Sequence, residues 1–147
     1  MAKVTASTER TIDAPAERVH GLVMDYSGTR PRILTDAFYD YSVLEGGTGP
    51  GTKARWKLQA TSKRVRDVVA NVSEGNDGSI VERDENSSMV NTWSVREAGE
   101  RSIVRFETSW DGAGGIGGFF EKTFAPKGIE RIYDGVLANL DELAKQD

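Results

Sequence analysis

Along most of this chain apolar and polar residues alternate with a period of two, and near its end the period changes to that of a helix. From Ile129 the apolar positions Ile132, Tyr133, Val136, Leu137, Leu140, Leu143 and Ala144 share one face, and Glu130, Arg131, Asp134, Asn139, Asp141, Glu142 and Lys145 share the other. This predicts a long helix over 118–145 whose stripe must lie on another element, with a kink or a restart at 125–128 because Pro126 removes a hydrogen bond. Residues 117–124 are expected to bring Phe119, Phe120 and Phe124 towards the same interior.

Upstream, residues 4–12 read as a strand with Val4, Ala6, Thr8 and Ile12 on one side. Asp13-Ala14-Pro15 then opens a helix: Asp13 suits free N–H groups and Pro15 the first turn, and Val19, Leu22, Val23 and Tyr26 turn inward before Ser27-Gly28 stops it. A short second helix follows around 31–35. The next strand, 38–44, sets Tyr39, Tyr41 and Val43 opposite Phe38, Asp40, Ser42 and Leu44. In 52–60, Ala54, Trp56, Leu58 and Ala60 face away from Lys53, Arg55, Lys57 and Gln59, so one side is wet. Residues 63–72 form a strand in which Val68-Val69-Ala70 breaks alternation, which predicts a bulge there. After a short strand at 79–84, Met89, Asn91, Trp93 and Val95 share one face of 89–96, and Val104, Phe106, Thr108 and Trp110 share one face of 102–110.

One strand, one or two short helices, six strands joined largely by hairpin-length turns, and a long helix make an α+β protein with an antiparallel sheet. Its 147 residues are expected to form a single domain. The net charge of -4 argues against nucleic-acid binding, which needs a basic surface. Without Cys and with one His, neither disulfides nor a thiolate or imidazole metal centre is expected, and no cofactor is implied. No apolar run approaches the roughly 20 residues of a membrane span. Nor does a basic segment followed by an apolar run open the chain, so a soluble, cytoplasmic protein is expected, without stable membrane insertion.

Gly46-Gly47-Thr48-Gly49-Pro50-Gly51-Thr52 is too glycine-rich for a plain turn and is expected to form a tight loop with positive φ. No G-K-[ST] follows and a strand comes next, so it is not a phosphate cradle. Together with Asp13-Ala14-Pro15 through Val19, and with the order of elements, this loop resembles the START/Bet v 1-like (SRPBCC) superfamily over essentially the whole chain, and within it polyketide cyclase/dehydrase and lipid-transport-type proteins. The resemblance implies a helix-grip fold, in which a curved seven-stranded antiparallel sheet wraps the C-terminal helix around an apolar cavity.

Candidate ligand-binding residues are Tyr39, Tyr41, Trp56, Leu58, Asn91, Trp93, Phe106, Thr108 and Trp110 from the strands, and Phe120, Ile132, Tyr133 and Val136 from the C-terminal stretch. The aromatic groups suit a wall, while Tyr41, Asn91 and Thr108 suit orientation of a ligand's few polar atoms. Asp25 and Tyr26 are further polar candidates. His20 has no catalytic partner near it and lies a step off the inward face, so no catalytic residue is assigned. The basic hairpin over 53–66 is expected to pair with Glu82, Asp84 and Glu85 rather than to meet a membrane. Three classes remain open: a carrier or sensor of a hydrophobic lipid, polyketide or aromatic molecule, a cyclase/dehydrase-type enzyme using the same cavity, and a protein-interaction or co-chaperone-like module. The oligomeric state is left open.

Overall fold

The structure, a computed structural model, describes residues 3–61, 64–111 and 125–146. Its elements are β1 (Lys3–Ile12), α1 (Ala16–Met24), α2 (Thr29–Ile33), β2 (Phe38–Glu45), β3 (Lys53–Thr61), β4 (Arg64–Glu74), β5 (Ile80–Asp84), β6 (Val90–Ala98), β7 (Arg101–Asp111) and α3 (Ala125–Ala144). The strands form one seven-stranded antiparallel sheet in the order β1-β7-β6-β5-β4-β3-β2. Each strand from β2 to β6 thus lies beside its successor, and only β1 crosses to the far edge. The sheet curves around α3 as the helix-grip expectation requires.

The stripe on α3 is buried as its period dictates, with Ile129, Tyr133, Val136, Leu137, Leu140 and Ala144 in the core. Ile132 and Leu143 pack at its margin. Asp141 departs from the expected wet face: it is buried, with its carboxylate accepting from Arg10 Nε and the Asp13 backbone N–H, each at 3.2 Å. A short polar side chain among apolar neighbours is tolerated because β1 supplies the partners. Pro126 is the second residue of α3 as described, so the expected kink or restart at 125–128 borders on residues outside the description. The expected helix over 118–124, with Phe119, Phe120 and Phe124, lies outside the described residues.

Three local expectations are corrected. Asp13 was expected to cap a helix with Pro15 in its first turn, but α1 starts at Ala16 with Pro15 itself, at φ -62° and ψ 149°, as the N-cap, and Pro15 biases Ala14 before it towards extended backbone. Asp13 provides no cap and its carboxylate instead lies 3.8 Å from Arg101. In β2 the irregularity sits at Asp40, whose φ is 54°, and the pairing with β3 slips between Tyr39 and Ser42. Phe38 and Tyr41 therefore both turn inward, and Tyr39 turns out. In β4 no bulge forms at Val68-Val69-Ala70; the register with β3 is continuous there and shifts only between Gln59 and Thr61. Val68, Ala70 and Val72 are buried in simple alternation, and Val69 sits half-buried on the other face.

The glycine loop between β2 and β3 closes on the end of α1. Gly47 O accepts from the N–H groups of Tyr26 (2.9 Å) and Ser27 (3.2 Å), and Gly49 N–H donates to Met24 O at 2.9 Å. Gly49 has a φ of 62°, and a Cβ there would run into Met24 Cε. The loop thus fixes where α1 ends and Tyr26 begins its inward turn.

Candidate ligand-binding site

Two polar features lie within the apolar space between sheet and α3. The first is centred on Glu82, which the β5 alternation places inward beside Ile80. Its Oε2 accepts from Tyr26 Oη at 2.5 Å and Arg30 Nη1 at 2.8 Å, and its Oε1 accepts from Asn91 Nδ2 at 3.1 Å. The Arg30 guanidinium stands 4.3 Å from the Tyr26 ring and 4.8 Å from that of Trp93. Burial opposes the Arg30 charge, but Glu82 and Tyr26 offset it and hold the guanidinium pKa above its ordinary value. Burial, followed by the Glu82 charge, pushes the Tyr26 phenol up. Burial likewise raises Tyr41 to about 12. Tyr41 Oη donates to Tyr26 O at 2.6 Å while its ring stacks on Trp56. Burial also raises Tyr133.

The second feature is a crevice of about 10 Å³ under the first turns of α3. Leu58 and Arg66 line it from the sheet, Met89 from the residue before β6, Ile129 and Tyr133 from the helix, and Asn91, Thr108 and Trp110 complete the lining. Asn91 and Thr108 are cross-strand partners, and Trp110 follows on the same face. Asn91 Oδ1, Thr108 Oγ1 and Trp110 Nε1 are buried and make no hydrogen bond among the described residues, nor do the indole N–H groups of Trp56 and Trp93.

A roomy cavity walled by aromatic groups was expected, and the described residues pack more closely than that. Tyr133 stacks on Phe106 with ring centroids 3.6 Å apart and meets Trp93 and Phe38 edge-on at 6.1 and 5.6 Å. Trp93 in turn meets Phe106 at 5.0 Å. These rings satisfy one another instead of standing apart around a void. Outside the crevice lies a cleft of about 480 Å³ between the start of β4, the β5–β6 turn and the end of β7. Arg66 and Trp110 belong to both spaces, and the Arg66 guanidinium lies 4.7 Å over the Trp110 ring.

Of the residues singled out from the sequence, Trp56, Leu58, Asn91, Trp93, Phe106, Thr108, Trp110, Tyr133 and Val136 are buried in this interior. Tyr41 and Ile132 reach it partly buried. Tyr39 is 40% exposed on the outer face, a consequence of the Asp40 bulge, and Phe120 lies outside the described residues. Sequence reasoning missed Arg30 and the inward Glu82. Glu82 was expected to serve the basic hairpin, where Lys53 instead meets Glu85 at 2.9 Å and Glu45 at 3.5 Å, and Lys57 meets Asp40 at 3.6 Å. The signal lay in its parity with Ile80: two residues apart in a strand, both face the same way. His20 sits half-buried on α1. Among the described residues no three His, Asp or Glu side chains gather as metal ligands would, and no helix is long and apolar enough to cross a membrane.

Comparison with known proteins agrees with this architecture. The family model for polyketide cyclase / dehydrase and lipid transport matches residues 1–145. The KanY protein, known from an NMR solution structure, is 48% identical, with a TM-score of 0.89 over 99% of this chain and 100% of that one. The Zhui aromatase/cyclase from Streptomyces sp. R1128 superposes with a TM-score of 0.78 at 15% identity, covering 98% of this chain and 94% of that one. A START superfamily protein from Mycobacterium smegmatis gives 0.71 at 11% identity, over 97% of each chain. No curated protein matches the chain by sequence. With the family model spanning nearly every residue and the helix-grip sheet in place, the chain belongs to the polyketide cyclase/dehydrase and lipid transport family.

Proposed function

We propose that this protein is a carrier or sensor that binds a hydrophobic small molecule of aromatic or polycyclic type between the sheet and α3. The observation that carries the reading is that Asn91, Thr108 and Trp110 line one crevice in an apolar interior, each with a buried polar atom that has no partner among the described residues. A buried polar group without a partner costs about 1–3 kcal/mol, so three together favour a partner that arrives from outside the chain. Family membership supports the same ligand class. A drug-sized ligand needs roughly 300 Å³ or more, so it enters by displacing Ile129 and Tyr133 from the sheet. The enzyme reading has less to rest on: among the described residues no carboxylate lines the crevice, and the Glu82 oxygens are both engaged by Tyr26, Arg30 and Asn91. The interaction-module reading lacks a surface, since the large apolar side chains exposed among the described residues, Tyr39, Leu44 and Val65, lie on β2 and β4 with polar β3 between them.

The test is titration with an environment-sensitive fluorophore. The expected result is saturable, roughly one-to-one binding with quenching of tryptophan emission, weakened by Trp110→Ala more than by a surface change such as Arg96→Ala. Native mass spectrometry of the purified protein then identifies a co-purifying compound. Absence of saturable binding across chemically varied apolar probes would remove the carrier reading.

A further inference from the structure

We infer that the crevice is a hydroxyl-recognition site, so that the ligand is a neutral ring compound bearing a hydroxyl group at the end that enters first; this rests on the cavity reading above. The argument begins at Glu82. A carboxylate facing the Arg30 guanidinium at 2.8 Å accepts hydrogen bonds and donates none, so the Asn91 side chain must present its NH₂ to it. The amide is thereby oriented, and its Oδ1, without a partner among the described residues, is the acceptor that Asn91 has left to offer the crevice it lines. Opposite it on β7, Trp110 Nε1 is a donor only, and Thr108 Oγ1 donates or accepts as its hydrogen rotates.

An acceptor, a donor and an adaptable hydroxyl around one small space complement a group that both donates and accepts. An alcohol or phenol does so with a single oxygen: its O–H donates to Asn91 Oδ1 while its lone pairs accept from Trp110 Nε1 and Thr108 Oγ1. A carbonyl, an ether or a carboxylate only accepts, and so leaves Asn91 Oδ1 unpartnered. Size agrees, because about 10 Å³ is the space of one water-sized group. The three residues are 1%, 2% and 3% exposed for Asn91, Thr108 and Trp110, so bulk water does not compete for these bonds.

The experiment displaces the bound fluorophore from the intact protein with 2-naphthol, naphthalene, 2-methoxynaphthalene and 2-naphthoate, at a pH where the naphthol is neutral. The expected result is that the naphthol displaces the dye at roughly tenfold lower concentration than the hydrocarbon, the ether or the acid, the scale of one or two net hydrogen bonds. Thr108→Val, which keeps the side-chain shape, should shrink that preference several-fold while leaving the melting temperature unchanged or raised. Equal displacement by all four, or strongest displacement by the naphthoate, would overturn the hydroxyl assignment and leave the cavity reading in place. Failure of the dye and of every naphthalene to bind would overturn both. A Thr108→Val variant with lowered stability and an unchanged naphthol preference would show the hydroxyl to be structural, and would likewise overturn the assignment.

Discussion

At the scale of single residues the decisive feature is a charge pair that never meets water. Arg30 and Glu82 have side-chain exposures of 4% and 1%, and Glu82 also holds Tyr26 and Asn91. Replacing such a pair by apolar groups is often tolerated, whereas removing one partner leaves a buried charge and costs about 3–5 kcal/mol. Glu82→Ala should therefore destabilise the protein by about that amount in urea unfolding. The double variant Arg30→Met with Glu82→Leu should be less destabilised than Glu82→Ala, because only the uncharged Tyr26 and Asn91 lose a partner. Additive losses would show that the charges are not coupled. The tyrosines around this pair make a second prediction. The folded state holds the Tyr41 phenol up at about 12 against an ordinary 10.0, and holds Tyr26 and Tyr133 up as well. Folding thus favours the protonated phenols, a contribution fully present below pH 10 and lost as pH rises towards 12. Stability should fall over that window, with cooperative appearance of tyrosinate absorbance, and Tyr41→Phe should flatten the first part of the fall. Independent titration of all the tyrosines near 10 in the folded protein would count against this.

At the scale of elements, α3 is fastened to β1 by polar groups as well as by its stripe. Thr8 donates to Asp134, Arg10 to Asp141, and the Asp13 N–H to Asp141. Asp141→Ala should cost about 1–3 kcal/mol, since a buried N–H and a guanidinium lose their acceptor, whereas Glu142→Ala on the exposed face should change little. Equal unfolding midpoints for the two would refute the fastening. A 3.6-residue period places Asp141 next to Leu140 and Ala144 yet says nothing about who waits across the gap, which explains why it was expected to be wet. Strands were legible for the opposite reason: with a period of two, one confident inward residue assigns the rest, as Trp56 does for Ala54 and Leu58. That inference failed at Tyr39, where the bulge at Asp40 resets the parity and no glycine marks it. Arg30 was illegible because α2 is five residues long, too short for any period, and an arginine is presumed exposed until its partner is known. The polar crevice was half legible: Asn91, Thr108 and Trp110 share a face by alternation, but the orientation of the Asn91 amide follows only from Glu82.

At the scale of the whole molecule, α3 joins two different supports. Its second half is locked, with Val136, Leu137 and Leu140 at 0% exposure, Asn139 Nδ2 bonded to Ile33 O at 3.0 Å, and Asp141 tied to β1. Its first half sets Ile129 and Tyr133 over the crevice, above polar atoms that have no partner among the described residues, and its tie to β1 is the exposed Thr8–Asp134 hydrogen bond. Opening there releases Asn91, Thr108 and Trp110 to water, which recovers part of the lost packing, while opening the second half exposes a well-packed apolar stripe and breaks satisfied bonds. On the carrier reading proposed above, ligand entry by lifting the first half needs no loss of the global fold. Amide hydrogen exchange should be measurably faster at residues 130–134 than at 138–142 in the free protein, although all lie in one continuous helix. A bound probe at 100 times its dissociation constant stabilises the bound form by about 2.7 kcal/mol, and should slow exchange chiefly in the first half of α3 and in the β6 and β7 segments facing it. Uniform exchange along α3, or equal protection of both halves on binding, would mean that the helix moves as one body and that the crevice opens by another route.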